Sequence, residues 1–330
     1  MSSLKAAVVG CGGHAQLHLR MIDKEPRLHL VGVAEIDATR REQAQAEWRV
    51  EGFADYRRML DACKPDLVVV ATMPGHLKAI VIDCLERGVH TSVEKAPGMH
   101  ADETRAMAAA AAKSAGKAIV SFNRRYFPEV LALRRMVEAR GGAVHCAATY
   151  NKPLSPPMGT SAWHGVAPDP IICDAIHHVD LLRWLAGSGA RAAMPIEVHA
   201  QVHDGAREGA HRHSALVRFD TGACGVLMSH YGVGGRVQRA EVHADDFSGY
   251  LELTGSPPVV EPYQAEGARG ELLAAPLDLE PVGGADFDET RHFVDCILAD
   301  EEPWSTLADA VHTMRLALAI RDGHRGPLHE

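Results

Sequence analysis

Over the first third of the chain, short apolar runs alternate with longer stretches of helical spacing. Ala6–Val9, Leu28–Ala34, Leu67–Ala71, His90–Val93 and Ala118–Ser121 have the length of strands, and a weaker run spans Gly52–Ala54. Between them, Ala15–Asp23, Asp37–Glu47, Tyr56–Ala62, Leu77–Arg87 and Ala101–Ser114 read as helices. Asp37 can cap the second of these, and Gly88 suits the end of the fourth. Leu67-Val68-Val69-Val70-Ala71 is apolar throughout and rich in β-branched residues, which suits a strand covered on both faces. Strands that alternate with helices pair in parallel through right-handed crossovers. The pattern predicts a doubly wound α/β domain over residues 1–122.

From about Val144 the rhythm changes. Pro and Gly are frequent between Pro153 and Pro170, which predicts a long loop. Beyond it, Ile196–Val202, Ala215–Phe219 and Val226–Met228 alternate apolar with polar residues. Val237–Val242 and Tyr250–Leu253 do so less cleanly. Period two marks antiparallel strands with one face buried. Two amphipathic helices, from about Phe287 to Ala299 and from Leu307 to Arg321, close the pattern. Residues 123–330 are expected to form an α+β domain on a mostly antiparallel open sheet.

A length of 330 residues suits two such domains. With 46% hydrophobic and 23% charged residues the chain can bury both cores, which excludes a mostly disordered protein. A net charge of −9 weighs against nucleic acid or an anionic membrane as the main partner. No apolar run approaches the ~18 residues of a membrane span, and the first run is too short for a signal peptide. The seven cysteines are dispersed and form no C-x-x-C pair, as expected of reduced thiols in a cytoplasmic protein.

Directly after the first strand stands Gly10-Cys11-Gly12-Gly13-His14-Ala15, which fits G-x-G-x-x-G/A. Gly10 permits a tight turn, Gly12 lets backbone N–H groups approach a pyrophosphate, and Ala15 lets the helix pack close to the strand. Gly13 and His14 belong to the same turn. The phosphate would meet a helix N-terminus, where free N–H groups and the dipole favour an anion. This makes the first domain Rossmann-type. Glu35 stands 20 residues after Ala15, at the end of the second strand, where an acid accepts from adenosine ribose hydroxyls. NAD is the expected cofactor. Arg40 and Arg41 follow closely and leave NADP as the lesser alternative.

Other residues carry chemistry of their own. Lys95 lies at the carboxyl end of an expected parallel strand, the edge where open α/β sheets bind ligands. It is a candidate donor to a substrate oxygen; the bland alternative is a solvated lysine beside Glu94. Asp174, His177 and His178 open a helical stretch ending near Leu185, and spacings of three and four put the acid on one face with both rings. A carboxylate beside an imidazole fixes its tautomer and raises its basicity. The alternative is an N-cap aspartate with two partly buried histidines. Arg124, Arg125 and Tyr126 could bind a polyol or carboxylate, or tie the domains together. Trp163 and His164 in the Pro-rich loop could cover a substrate. His199, His203, His211, His213 and His230 lie on alternating strands, and without further Cys/His pairs of zinc spacing no metal is expected.

Six motifs follow one another along the chain. They are the glycine turn with His18; Ala71-Thr72-Met73-Pro74; Glu94-Lys95-Ala96-Pro97; Phe122-Asn123-Arg124-Arg125-Tyr126; Asp174-Ala175-Ile176-His177-His178-Val179-Asp180; and Phe293-Val294-Asp295-Cys296-Ile297. In this order and spacing, over nearly its whole length, the chain resembles the glucose–fructose oxidoreductase / inositol dehydrogenase / MocA-type (Gfo/Idh/MocA) family of NAD(P)-dependent oxidoreductases. The resemblance implies hydride transfer between a secondary alcohol of a sugar, cyclitol or related polyol and nicotinamide, with the substrate held between the domains. It implies that Thr72, Pro74, Glu94 and Lys95 touch the cofactor. Asn123 is expected to line the substrate site with Lys95, Asp174, His177 and His178, and Arg124, Tyr126 and Trp163 join it as candidates on their own chemistry and place in the chain. Lys95 matches the family's lysine and would hydrogen-bond the reacting oxygen; His177 matches its histidine and would be the general base. Asp174 would orient an imidazole. A homodimer or homotetramer through the open face of the second sheet is implied as well.

The chain departs from the family at two points. Proline is expected directly after the lysine, but Ala96 stands there and Pro97 follows one position late. If the family's bond at this point is cis, this chain is not expected to reproduce it, since cis is largely a proline property. An acid is expected four residues before the histidine, where Cys173 stands; Asp174 is read as its shifted substitute. Two rival functions remain. A non-catalytic nucleotide-binding regulator would need neither Lys95 nor His177. An NAD-assisted elimination or glycoside hydrolysis would regenerate the cofactor in each turnover.

Overall fold

The computed structural model describes residues 3–153, 169–205, 211–266, 271–272, 276–284 and 286–329. Trp163 and His164 lie outside them. The chain forms two compact units, Met1–Ser121 with Glu289–Val311, and Phe122–Asp288 with His312–Glu330.

In the first unit, strands β1 (Leu4–Val9), β2 (Leu28–Ala34), β3 (Glu51–Phe53), β4 (Leu67–Val70), β5 (His90–Val93) and β6 (Ala118–Val120) alternate with helices. These are α1 (Ala15–Lys24), α2 (Ala38–Trp48), α3 (Tyr56–Cys63), α4 (Pro74–Glu86) and α5 (Ala101–Ala111). The sheet has the order β3-β2-β1-β4-β5-β6 and is parallel throughout. No residue of β4 is more than 2% exposed, as its unbroken apolar run requires. The Asp37 carboxylate caps α2 by accepting from the Arg40 N–H at 2.8 Å. Gly88, with φ +73°, follows α4. Val9 pairs with both Ala34 and Val70, Val70 with Val93, and Val93 with Val120. Gly10, Glu35, Ala71 and Glu94 therefore emerge side by side at one edge of the sheet.

The second unit is built on β7 (His145–Lys152), β8 (Pro195–Asp204), β9 (His211–Phe219), β10 (Cys224–Tyr231), β11 (Val237–Ala244), β12 (Phe247–Glu252), β13 (Val259–Glu266), β14 (Glu271–Leu272) and β15 (Arg325–Pro327). Their order is β14-β13-β12-β11-β7-β10-β9-β8-β15. Every neighbouring pair is antiparallel except β7 and β10. Helices α6 (Pro128–Glu138) and α7 (Ile176–Ala186) cover one face. α6 approaches closely: a Cβ on Gly249 would lie 2.4 Å from Leu133 Cδ1. The other face leaves Leu216, Val226, Met228 and Tyr250 exposed.

The last helices are α8 (Glu289–Ala299) and α9 (Leu307–Arg321). Both were expected within a second domain running from 123 to 330. Residues Glu289–Val311 instead group with the first unit. Ser121 Oγ donates to Glu289 Oε1 at 2.6 Å, and Ser305 exchanges two hydrogen bonds with the Val120 backbone at 2.7 Å each. Arg27 reaches Asp295 at 2.5 Å. Helical spacing shows that a face is buried but not against which core.

Candidate active site

Gly10 turns the chain with φ +92°, and a Cβ there would lie 2.6 Å from the Ala71 carbonyl oxygen. No side chain fits that position. Gly12 and Gly13 differ: a Cβ on either would meet nothing within 4 Å, so the turn's backbone is open to a ligand. His14, exposed, precedes α1, whose first turn carries no acid to repel a phosphate. Glu35 is 9% exposed. Its Oε2 accepts from the Cys11 N–H at 2.8 Å and its Oε1 from the Asp37 N–H at 3.0 Å. The acid is thus fixed to the glycine turn, and each oxygen keeps a lone pair for a ribose hydroxyl. Burial and the charge of Glu35 push the Cys11 thiol up to about 12, so it stays protonated. Arg41 donates to the backbone oxygen of Glu35 at 2.8 Å, not to its carboxylate. The buried Thr72 hydroxyl has no hydrogen-bond partner among the described residues. Pro74 opens α4, where its missing N–H costs nothing. These residues fit a dinucleotide.

Glu94 and Lys95 follow β5 and are 7% and 8% exposed, so the solvated lysine is ruled out. Glu94 Oε2 lies 2.8 Å from His18 Nε2. Burial raises the Glu94 carboxyl, but the His18 hydrogen bond and the charges of His18 and Lys95 outweigh it and hold the group below its usual range. Glu289 Oε1 lies 3.9 Å from His18 Nδ1. The peptide bond between Lys95 and Ala96 is cis, contrary to the expectation for a chain without proline there.

In the second unit, Asn123, Arg124 and Tyr126 share a 3-10 turn, Asn123–Tyr126, with Tyr126 only 1% exposed. Arg125, fully buried, grips both oxygens of Asp180 at 2.7 and 2.5 Å, and Thr313 adds a bond at 2.8 Å. Asp174 sits in a π turn, Ile171–Ala175, that runs into α7. Its Oδ1 accepts from the Tyr150 hydroxyl and its Oδ2 from Lys152 Nζ, each at 2.6 Å. His177 lies half-buried in the first turn of α7. His178 is fully buried, edge-on to the Tyr150 ring at 5.0 Å, with neither nitrogen hydrogen-bonded among the described residues. Burial and the charge of Arg124 keep it neutral. Asp174 makes no hydrogen bond to His178, and its oxygens are engaged by Tyr150 and Lys152. Tyr150 and Lys152 escaped the sequence reading. The signal was there: His145–Lys152 alternates, and Cys146, Ala148 and Tyr150 are its buried positions.

An open glycine turn where β1 meets β4, with an acid anchored beside it, defines a dinucleotide-binding site of Rossmann type. Residues 4–122 match the GFO_IDH_MocA family, described as an oxidoreductase family with NAD-binding Rossmann fold. Inositol 2-dehydrogenase of Rubrobacter xylanophilus is 27% identical over 188 residues, 55% of this chain and 52% of that protein. The match thus spans about half of the relative. Two solved structures share the fold. Levoglucosan dehydrogenase in complex with NADH superposes with a TM-score of 0.85 at 18% identity, covering 100% of both chains. UDP-N-acetylglucosamine 3-dehydrogenase GnnA from Acidithiobacillus ferrooxidans does so with a TM-score of 0.81 at 20% identity, covering 98% of both. Among the described residues no helix is long and apolar enough to cross a membrane.

Proposed function

We propose that the protein oxidises a secondary alcohol of a sugar, cyclitol or related polyol, using NAD in preference to NADP. Lys95 carries this reading. It is held 8% exposed directly after a parallel strand, at the carboxyl edge where open α/β sheets bind their ligands, and its ammonium can donate to a developing alkoxide. The bound nicotinamide supplies the redox chemistry by accepting the hydride. His177 takes the hydroxyl proton, and Lys95 donates a hydrogen bond to the same oxygen. Asp174, held by Tyr150 and Lys152, is a fixed negative charge one turn before His177 and favours the imidazolium that forms. Glu94, kept anionic by His18, fixes the segment that presents Lys95. Glu35 repels a 2′-phosphate. A cytosolic homo-oligomer joined through the exposed sheet face completes the reading.

The test is a panel of sugars, cyclitols, polyols and their acids incubated with protein and NAD. Reduced nicotinamide should accumulate with at least one. Product formation without it would identify an elimination or hydrolysis instead.

A further inference from the structure

Arg124 is poorly matched by the protein around it. Its Nη2 donates to Gln238 Oε1, but its Nε is buried and has no hydrogen-bond partner among the described residues. The nearby acids are taken. Asp174 holds Tyr150 and Lys152, Asp180 holds Arg125 and Thr313, and Asp169 faces Arg321 at 3.4 Å. Residues 154–168 contain no Asp or Glu that could serve. Among the described residues Tyr150, Asp174 and Arg236 act on Arg124, the last from an exposed position in the glycine-rich loop between β10 and β11. Arg124, Arg236 and Asp174 all act on Tyr150, and Asp174 already holds Lys152, so cations outnumber this carboxylate among the described residues. This local excess stands in a chain whose net charge is −9.

The surrounding wall is polar and unsatisfied. Ser229 Oγ, Gln238 Nε2 and Asn123 Oδ1 are buried without hydrogen-bond partners among the described residues. In the register of β11, β7 and β10, Gln238, Tyr150 and Ser229 lie in one row, on the face that α7 covers. Burial pulls the Arg124 guanidinium down to about 10, outweighing the opposing charge of Asp174. A neutral polyol could fill the hydrogen bonds but not the charge.

We propose that the alcohol handled at this site carries an anionic group, a carboxylate or a phosphate, which seats on Arg124 with Arg236 as the second cation. The planar guanidinium offers Nε and Nη together, a fork that matches two oxygens of such a group. This rests on the dehydrogenase reading for the reaction, but not for the binding.

Calorimetry on NAD-saturated protein separates the cases with matched pairs, D-gluconate against D-glucitol and glucose 6-phosphate against glucose. The acid of at least one pair should bind tenfold or more tightly than its neutral partner, and which pair responds tells carboxylate from phosphate. Arg124→Gln should bring that ratio close to one, and Arg124→Lys should retain part of it. Should Arg124→Gln fail to fold, Arg236→Gln, at an exposed position, should still weaken the acid several-fold. Equal binding within both pairs, no acid binding, or a preference that survives these substitutions overturns the proposal. Formation of reduced nicotinamide is followed separately. Turnover of neutral alcohols alone keeps the dehydrogenase and refutes the acid; acid binding without any reduced nicotinamide does the reverse.

Discussion

At the scale of single residues, the proposed general base is the sharpest test. His177→Ala should lower kcat roughly 10²–10⁴-fold, the range for a positioned acid–base group. NAD affinity should hold, because Gly10, Gly12 and Glu35 belong to the other unit. Lys95→Ala should also slow turnover, and if both groups act on one oxygen the double variant loses less than the product of the single losses. Activity should rise with pH as an imidazole gives up its proton. Near-normal turnover in His177→Ala would move the role elsewhere. Glu35→Ser should narrow the NAD preference, read as the ratio of Kd for the two cofactors; tighter NADP binding by the native protein would refute that assignment. A third residue reports on stability. His292 is 6% exposed and accepts the Trp304 N–H at 3.2 Å. Burial lowers it from 6.5 to about 4, so it stays neutral in the fold where the unfolded chain is already protonated. Below pH 6.5 the unfolded chain gains a proton that the fold refuses, and stability falls as pH drops towards 4. Between pH 7 and 5 the loss should be about 2 kcal/mol. Denaturant melts at the two pH values should show it, and His292→Gln should shrink it.

At the scale of elements, two glycines of one turn separate folding from binding. Gly10→Ala would force φ +92° on alanine and drive its Cβ into the Ala71 carbonyl. It should destabilise by ~1–3 kcal/mol or more. Gly12→Ala meets open space, so Tm should barely move while NAD affinity falls about tenfold, since the methyl occupies the phosphate's approach. Equal effects of the two on Tm would show that the turn is only structural. Most elements of the first unit were legible from periodicity because each crossover is local. Asp37 capping α2 and Gly88 ending α4 needed only neighbours in sequence. β13 was not legible, since Pro262 interrupts its strand pattern.

At the scale of the whole molecule, Ile196, Leu216, Val226 and Met228 form the apolar part of the uncovered sheet face. β9 and β10 place Leu216 opposite Val226, so these side chains are contiguous. A second copy of the same face would cover them by a two-fold axis. Light scattering should give a multiple of 35.6 kDa, and Leu216→Glu with Met228→Glu should lower it to one chain without loss of secondary structure. A mass of 35.6 kDa for the native protein at micromolar concentration would contradict the assembly.

The amino-acid sequence by itself determined the two sheet types, the glycine turn with Glu35 near its mouth, and the positions of Lys95 and His177 at the starts of their segments. Each depends on spacing within a few residues or within one crossover. Tertiary structure decided what those residues touch. Glu94 meets His18 across 76 residues, Asp174 meets Tyr150 across 24, and Arg124 meets Gln238 across 114. It also decided that α8 packs with the first unit. The physical reason is the same in each case. Periodicity records which face of an element is buried, while the partner across that face is set by sheet register and by which core the element joins.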